Sequence, residues 1–234
     1  MRLVLVPGFT QTAASWDPVR AQLGNGVDVV AIDVPTGLEF AETAAAIGDD
    51  SGRAIYAGYS MGGRLCLRLA LDRPDLVRGL VLISGSPGIA DNAERAARRD
   101  ADEQLARDVE LNGVDAFLEA WVGQPLFASL PAEAAGIHAR RAGNTVATLT
   151  HALRALGQGA QEPLWNRLGD LEPSFLPVAG TLDQKYVDIA FEMAAAVRRE
   201  VHPVLIGGAG HAVHLEQPDA VASLLRRFVH DLTS

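Results

Sequence analysis

Five residues, Gly58-Tyr59-Ser60-Met61-Gly62, constrain this chain more than any other feature. They follow a short apolar run at 54–57 and lead into 61–71, where Leu65, Leu67, Leu69 and Ala70 are apolar with helical spacing until Pro74 closes the segment. A serine between two glycines at a strand-to-helix junction predicts a sharp turn that lifts the hydroxyl above a sheet. The flanking glycines let neighbouring backbone pass where a Cβ would clash. The Met61 N–H, at the helix start, is then available to a developing oxyanion.

The rest of the chain fits a sheet on which such a turn can sit. Runs at 3–6, 27–32, 54–57 and 80–83 alternate with longer helical patterns, which predicts parallel βαβ units. From 90 to 168 the strand signals stop, and alanine-rich, charged helical patterns take over at 94–110 and 114–122. Strands resume at 174–179 and 201–206, with a helix at 187–199 between them and a last helix at 219–232. The expectation is one α/β core, a mostly parallel sheet flanked by helices, built from residues 1–89 and 169–234, with 90–168 inserted as a helical cap.

Composition narrows the function classes. With 234 residues, 48% of them hydrophobic, the chain can bury a large core without disulfide or metal. Cys66 is the only cysteine, so neither a disulfide framework nor a thiolate metal cluster is expected, and a reducing cytoplasm suits it. A formal net charge of -9 argues against nucleic-acid binding and against an anionic membrane surface. The first apolar run reaches Pro7-Gly8 too soon for a signal-peptide core or a membrane span.

A serine hydroxyl needs an imidazole to take its proton, and the imidazole needs a carboxylate to fix its tautomer. Asp183, in Gly180-Thr181-Leu182-Asp183, and His211, in Gly208-Ala209-Gly210-His211, each follow a predicted strand. Ser, Asp and His thus run in the chain order of α/β-hydrolases, each at the carboxyl end of a strand, where open α/β sheets place their sites. The loop Pro7-Gly8-Phe9-Thr10 after the first strand offers the Phe9 N–H as a second oxyanion donor. Arg95, Arg98, Arg99, Arg140 and Arg141 read equally well as the wet face of cap helices or as guanidiniums turned inward for a carboxylated substrate.

Beyond the turn, Gly63-Arg64, the segment Ser86-Pro87-Gly88 with Glu94-Arg95-Ala96-Ala97-Arg98, and above all Trp121 through Leu130 in the cap resemble the 2-succinyl-6-hydroxy-2,4-cyclohexadiene-1-carboxylate synthase family of menaquinone biosynthesis, α/β-hydrolases in fold. The similarity continues through Arg141, Asn144 and Ala147-Thr148-Leu149, and through Gly180 to Tyr186. The resemblance implies a lyase without metal or organic cofactor. It would eliminate pyruvate from a tricarboxylate, with the Ser60–Asp183–His211 triad as base, Phe9 and Met61 as oxyanion donors, and Arg64, Arg98 and Arg141 near substrate carboxylates. Tyr59 and Trp121 would line the pocket, with Gln124 and His214 as further members.

The chain departs from the family where Pro7 stands for a histidine, and where the loop 35–40 lacks a Gly-His-Gly run. It also starts directly at what would be the third strand of an eight-stranded sheet, so a leading β-hairpin is expected to be missing or shortened. Two alternatives stay open on the residues alone. One is an esterase, thioesterase or carbon–carbon hydrolase with Ser60 as nucleophile; the other is a ligand-binding protein that keeps the fold without turnover.

Overall fold

The alternation of side chains along the first strand sets the architecture. In β1 (Arg2–Val6), Leu3 and Leu5 pack into one core while Val4 and Val6 pack into another, so both faces of the strand are covered. The same split divides Ile55, Ala57 and Tyr59 from Ala54 and Tyr56 in the neighbouring strand. Strands buried on both faces need helices on both sides, which is the condition met by parallel βαβ connections.

This computed structural model describes residues 1–233. In chain order its elements are β1, α1 (Asp17–Leu23), β2 (Asp28–Ala31), α2 (Phe40–Ser51), β3 (Ala54–Tyr59), α3 (Met61–Asp72) and β4 (Val77–Ile83). There follow α4 (Asn92–Val122), α5 (Ile137–Gly143), α6 (Val146–Leu156), β5 (Ser174–Gly180), α7 (Gln184–Ala196), β6 (Val204–Ile206), α8 (Val213–Glu216) and α9 (Pro218–Asp231). The six strands form one sheet in the order β2-β1-β3-β4-β5-β6, every pair parallel. Residues of α2, α3 and α7 fill the core on one face, and those of α1 and α9 the core on the other.

Between β4 and β5 the chain adds no strand to the sheet. Its long helix α4 starts on Asp91, whose side chain accepts from the Glu94 N–H at 2.8 Å. It breaks at Gly113 (φ 79°, ψ 176°), so the two helical patterns at 94–110 and 114–122 are two rods joined at one residue. Ala106, Val109, Phe117 and Leu118 of α4 share a small core with Leu149 and Leu153 of α6. α6 in turn starts on a reciprocal cap between Thr145 and Thr148.

Among the boundaries that differ from those read in the sequence, two have a clear local cause. The last strand begins at Val204 rather than 201, because Pro203 has no N–H to give to a ladder. Helix α7 starts at Gln184, three residues early, because a tight turn, in which the Asp183 N–H donates to the Gly180 carbonyl at 3.1 Å, delivers the chain directly into it. No helix among the described residues is long and apolar enough to cross a membrane, and none of their side chains form a cluster of three or more metal-ligating groups.

Candidate active site

β1, β3 and α3 converge at the turn, and steric contact accounts for both glycines of the pattern. A Cβ on Gly58 would come within 2.5 Å of the Gly62 carbonyl and the Gly63 nitrogen, and one on Gly62 would fall on the carbonyls of Val6 and Pro7. Ser60 takes the strained conformation φ 48°, ψ -109°, at the head of α3. Such backbone costs roughly 1–3 kcal/mol and persists because its surroundings hold it. Here its N–H donates to the Ile83 carbonyl of β4 at 2.9 Å.

The loops after β5 and β6 are laced together. Leu182 N–H donates to the Ala209 carbonyl (2.9 Å) and Thr181 N–H to that of Ile206 (3.0 Å). Glu216 of α8 accepts from the N–H groups of Gly210 (2.8 Å) and Ala212 (2.9 Å), holding the backbone on either side of His211. The result is a relay. His211 Nδ1 lies 2.7 Å from Asp183 Oδ2, and its Nε2 lies 3.3 Å from Ser60 Oγ, with the imidazole and carboxylate both nearly sealed from solvent. With Nδ1–H donating to the carboxylate, the Nε2 lone pair faces the serine hydroxyl.

Ser60 and His211 open on a pocket that Phe9, Met61, Tyr59, Trp121 and Gln124 also line. Its apolar wall is a stack: Phe9 meets Trp121 edge-on at 4.9 Å, and Tyr59 and Tyr186 rest against His211 at 5.5 and 4.6 Å. Its polar wall is basic. Arg64, 5% exposed, donates to Gln161 Oε1 and to the Leu156 carbonyl, both at 2.7 Å, and burial lowers its pKa to about 10. Arg140, 3% exposed, donates to the Ala135 carbonyl at 2.7 Å and to Thr10 Oγ1, and burial again pushes its pKa down. Arg98 alone among the three is met by a carboxylate, the buried Asp102, at 2.8 Å.

Residues 3–224 match the alpha/beta hydrolase family. A 2-succinyl-6-hydroxy-2,4-cyclohexadiene-1-carboxylate synthase of Enterobacter sp. (strain 638) is 31% identical over 241 residues, 97% of this chain and 91% of the relative. The chain belongs to this synthase family of alpha/beta hydrolases. A putative synthase of the same name from Bacillus subtilis (strain 168) is 34% identical over 183 residues, which is 74% of this chain and only 64% of that protein. The solved structure of MenH from S. aureus superposes with a TM-score of 0.92 at 28% identity, covering 100% of this chain and 95% of the other.

One arginine expected of a synthase of this family sits elsewhere. Arg141 does not line the pocket: it is ion-paired with Asp115 (3.0 Å) and Glu119 (2.7 Å) on the outer side of α4. Its neighbour Arg140 takes the inward place. Successive residues of a helix point about 100° apart, so a phase error of one residue in the seven-residue α5 exchanges a buried cation for a solvated one. His214 is not in the pocket wall either; it lies fully buried behind Tyr59, 4.3 Å between ring centres, and burial lowers its pKa well below the usual value. Sequence reasoning missed Gln11, Gln158 and Tyr186, all pocket residues on three different elements or loops. Tyr186, three residues beyond Asp183 at the start of α7, was the one with a local signal.

Proposed function

We propose that this protein eliminates pyruvate from 2-succinyl-5-enolpyruvyl-6-hydroxy-3-cyclohexene-1-carboxylate to give 2-succinyl-6-hydroxy-2,4-cyclohexadiene-1-carboxylate. The observation that carries this reading is the pair Arg64 and Arg140, two buried guanidiniums in the wall of the Ser60 pocket, neither ion-paired to a carboxylate of the described residues. A buried cation without a countercharge is costly unless a ligand supplies one. A protein of net charge -9 that concentrates positive charge in one cavity is built to hold a polyanion there.

In the reaction, His211, with its tautomer fixed by Asp183, accepts the Ser60 proton while Ser60 Oγ removes the proton beside the succinyl carbonyl. The electron pair moves onto the carbonyl oxygen, where the N–H groups of Phe9 and Met61 receive it. Collapse of the enolate through the ring double bond breaks the carbon–oxygen bond to the enolpyruvyl group. Pyruvate leaves as its enolate and takes up the proton held on His211. Arg64, Arg98 and Arg140 hold the carboxylates from the β4–β5 segment and from α3, so that segment works as the cap of the site. Side-chain acid–base chemistry suffices, with no metal or organic cofactor, and the single buried thiol of Cys66 suits a cytoplasmic setting.

The test is release of pyruvate from the enolpyruvyl tricarboxylate by purified protein, beside Ser60→Ala. General-base catalysis contributes about 10²–10⁴-fold, so the variant should lose that much of kcat with the substrate still bound. Wild-type protein that releases no pyruvate would refute the reading.

A further inference from the structure

Gln11 lies two residues beyond Phe9 and its side chain is folded back on its own loop. The Gly8 N–H points at Gln11 Oε1 (3.4 Å), and His214 Nε2 lies 3.1 Å from the same oxygen. A backbone N–H can only donate, so the oxygen of the amide must face it, and His214 must donate through Nε2 as well. That assignment leaves the Gln11 amide nitrogen, with two N–H groups, on the other side. It is sealed from solvent and has no partner among the described residues. Buried donors are nearly always satisfied, and one that is not needs an explanation.

The place of this nitrogen supplies one. Gln11 and Arg140 both line the Ser60 pocket, and both also line a neighbouring pocket between the residues that follow β1 and the start of α5, so they stand together in the partition between the two. Arg140 spends one N–H on Ala135 and one on Thr10, leaving the rest of its fork without an acceptor among the described residues. An amide donor and a guanidinium fork in one wall, both short of acceptors, match the oxygens of a carboxylate.

We propose that the side-chain amide of Gln11 is a substrate-binding donor that receives one carboxylate of the substrate together with Arg140, aimed by Gly8 and His214. This rests on the anionic substrate read above. It adds a recognition element on the oxyanion loop itself, in the pocket that Arg64 also lines. Because Gln11 also braces the Phe9 loop through its own oxygen, binding of the carboxylate and placement of the oxyanion donor share one side chain.

Two substitutions separate donating from bracing. Gln11→Glu keeps the oxygen that Gly8 and His214 address and replaces the N–H₂ by a second oxygen that repels a carboxylate; Gln11→Met removes both. A lost hydrogen bond to a charged group corresponds to about 10- to 100-fold in affinity. Both variants should therefore raise KM for the enolpyruvyl substrate by roughly that factor, with the kcat of Gln11→Glu reduced much less than its kcat/KM. Gln11→Glu with the KM of wild type, or a loss confined to kcat in both variants, would overturn the proposal and leave Gln11 as a brace. Succinate titrated by calorimetry into wild type and Gln11→Glu gives a readout that does not depend on turnover. Weaker binding to the variant supports the proposal, while equal binding, or none to wild type, overturns it. Wild-type protein that binds succinate through Gln11 yet releases no pyruvate would refute the reaction and keep the donor.

Discussion

Arg140 makes a sharp case for separating binding from stability. In Arg140→Met the apolar stem and its packing remain while the guanidinium goes. Two acceptors then lose their donor, the Ala135 carbonyl and Thr10 Oγ1, at about 1–3 kcal/mol each. Against this stands the removal of a buried charge with no carboxylate of the described residues paired to it, whose effective desolvation penalty is several kcal/mol. These terms oppose and are of similar size, so unfolding free energy by urea titration should move by no more than about 2 kcal/mol in either direction. Substrate binding has no such compensation. Loss of one partner of a buried, hydrogen-bonded charge pair costs about 2–4 kcal/mol, or roughly 30- to 900-fold in kcat/KM. Arg141→Met, whose guanidinium meets only exposed acids, should change kcat/KM little. A strongly destabilised Arg140→Met with unaltered kcat/KM would show that the cation holds the fold, and equal losses in the two variants would refute the assignment of the inward arginine.

Two further perturbations test the scaffold around the triad. Burial, then Arg140 and His211, push the His214 pKa well below 6.5, so the folded protein keeps this imidazole neutral where the unfolded chain takes up a proton. Stability therefore falls as pH drops below about 6.5, and His214→Asn should remove roughly 1 kcal/mol of the difference between unfolding free energies at pH 7.0 and 5.5; an identical pH dependence in the variant would contradict this. Gly180→Ala places a Cβ on the carbonyls of Ala209 and Gly210, where the Asp183 and His211 loops touch. Unfolding stability should fall by about 1–3 kcal/mol, and kcat of the folded fraction should fall with it as the relay is pushed apart, whereas retained kcat would show that the two loops yield without moving the side chains.

The parts of this molecule that sequence exposes are those whose chemistry is local. Strand alternation in Leu3–Val6, the glycines at 58 and 62, and the order of Ser60, Asp183 and His211 each depend on residues close in the chain or on connection rules of parallel sheets. The 3.3 Å between Nε2 and Oγ follows from where β3, β5 and β6 end, and the motif loops mark those ends well even where Pro203 shortens the last strand. Legibility fails in the β4–β5 segment. α5 is seven residues long, enters through Gly136 in the left-handed conformation, and has too few apolar positions to set its phase, so Arg140 and Arg141 cannot be told apart by pattern. The same limit hides Gln11, whose loop signals only a turn; its aim comes from His214, some two hundred residues away. At Gln11 the signal is a buried amide nitrogen with no partner among the described residues, and at Arg140 it is a buried guanidinium that meets a carbonyl and a hydroxyl but no carboxylate among them; that accounting exists only in three dimensions. A general-purpose triad can be read from a turn and two loops; on the reading proposed above, selection among substrates lies in these two side chains, so variants at Gln11 and Arg140, more than at Ser60, are expected to change what this site accepts.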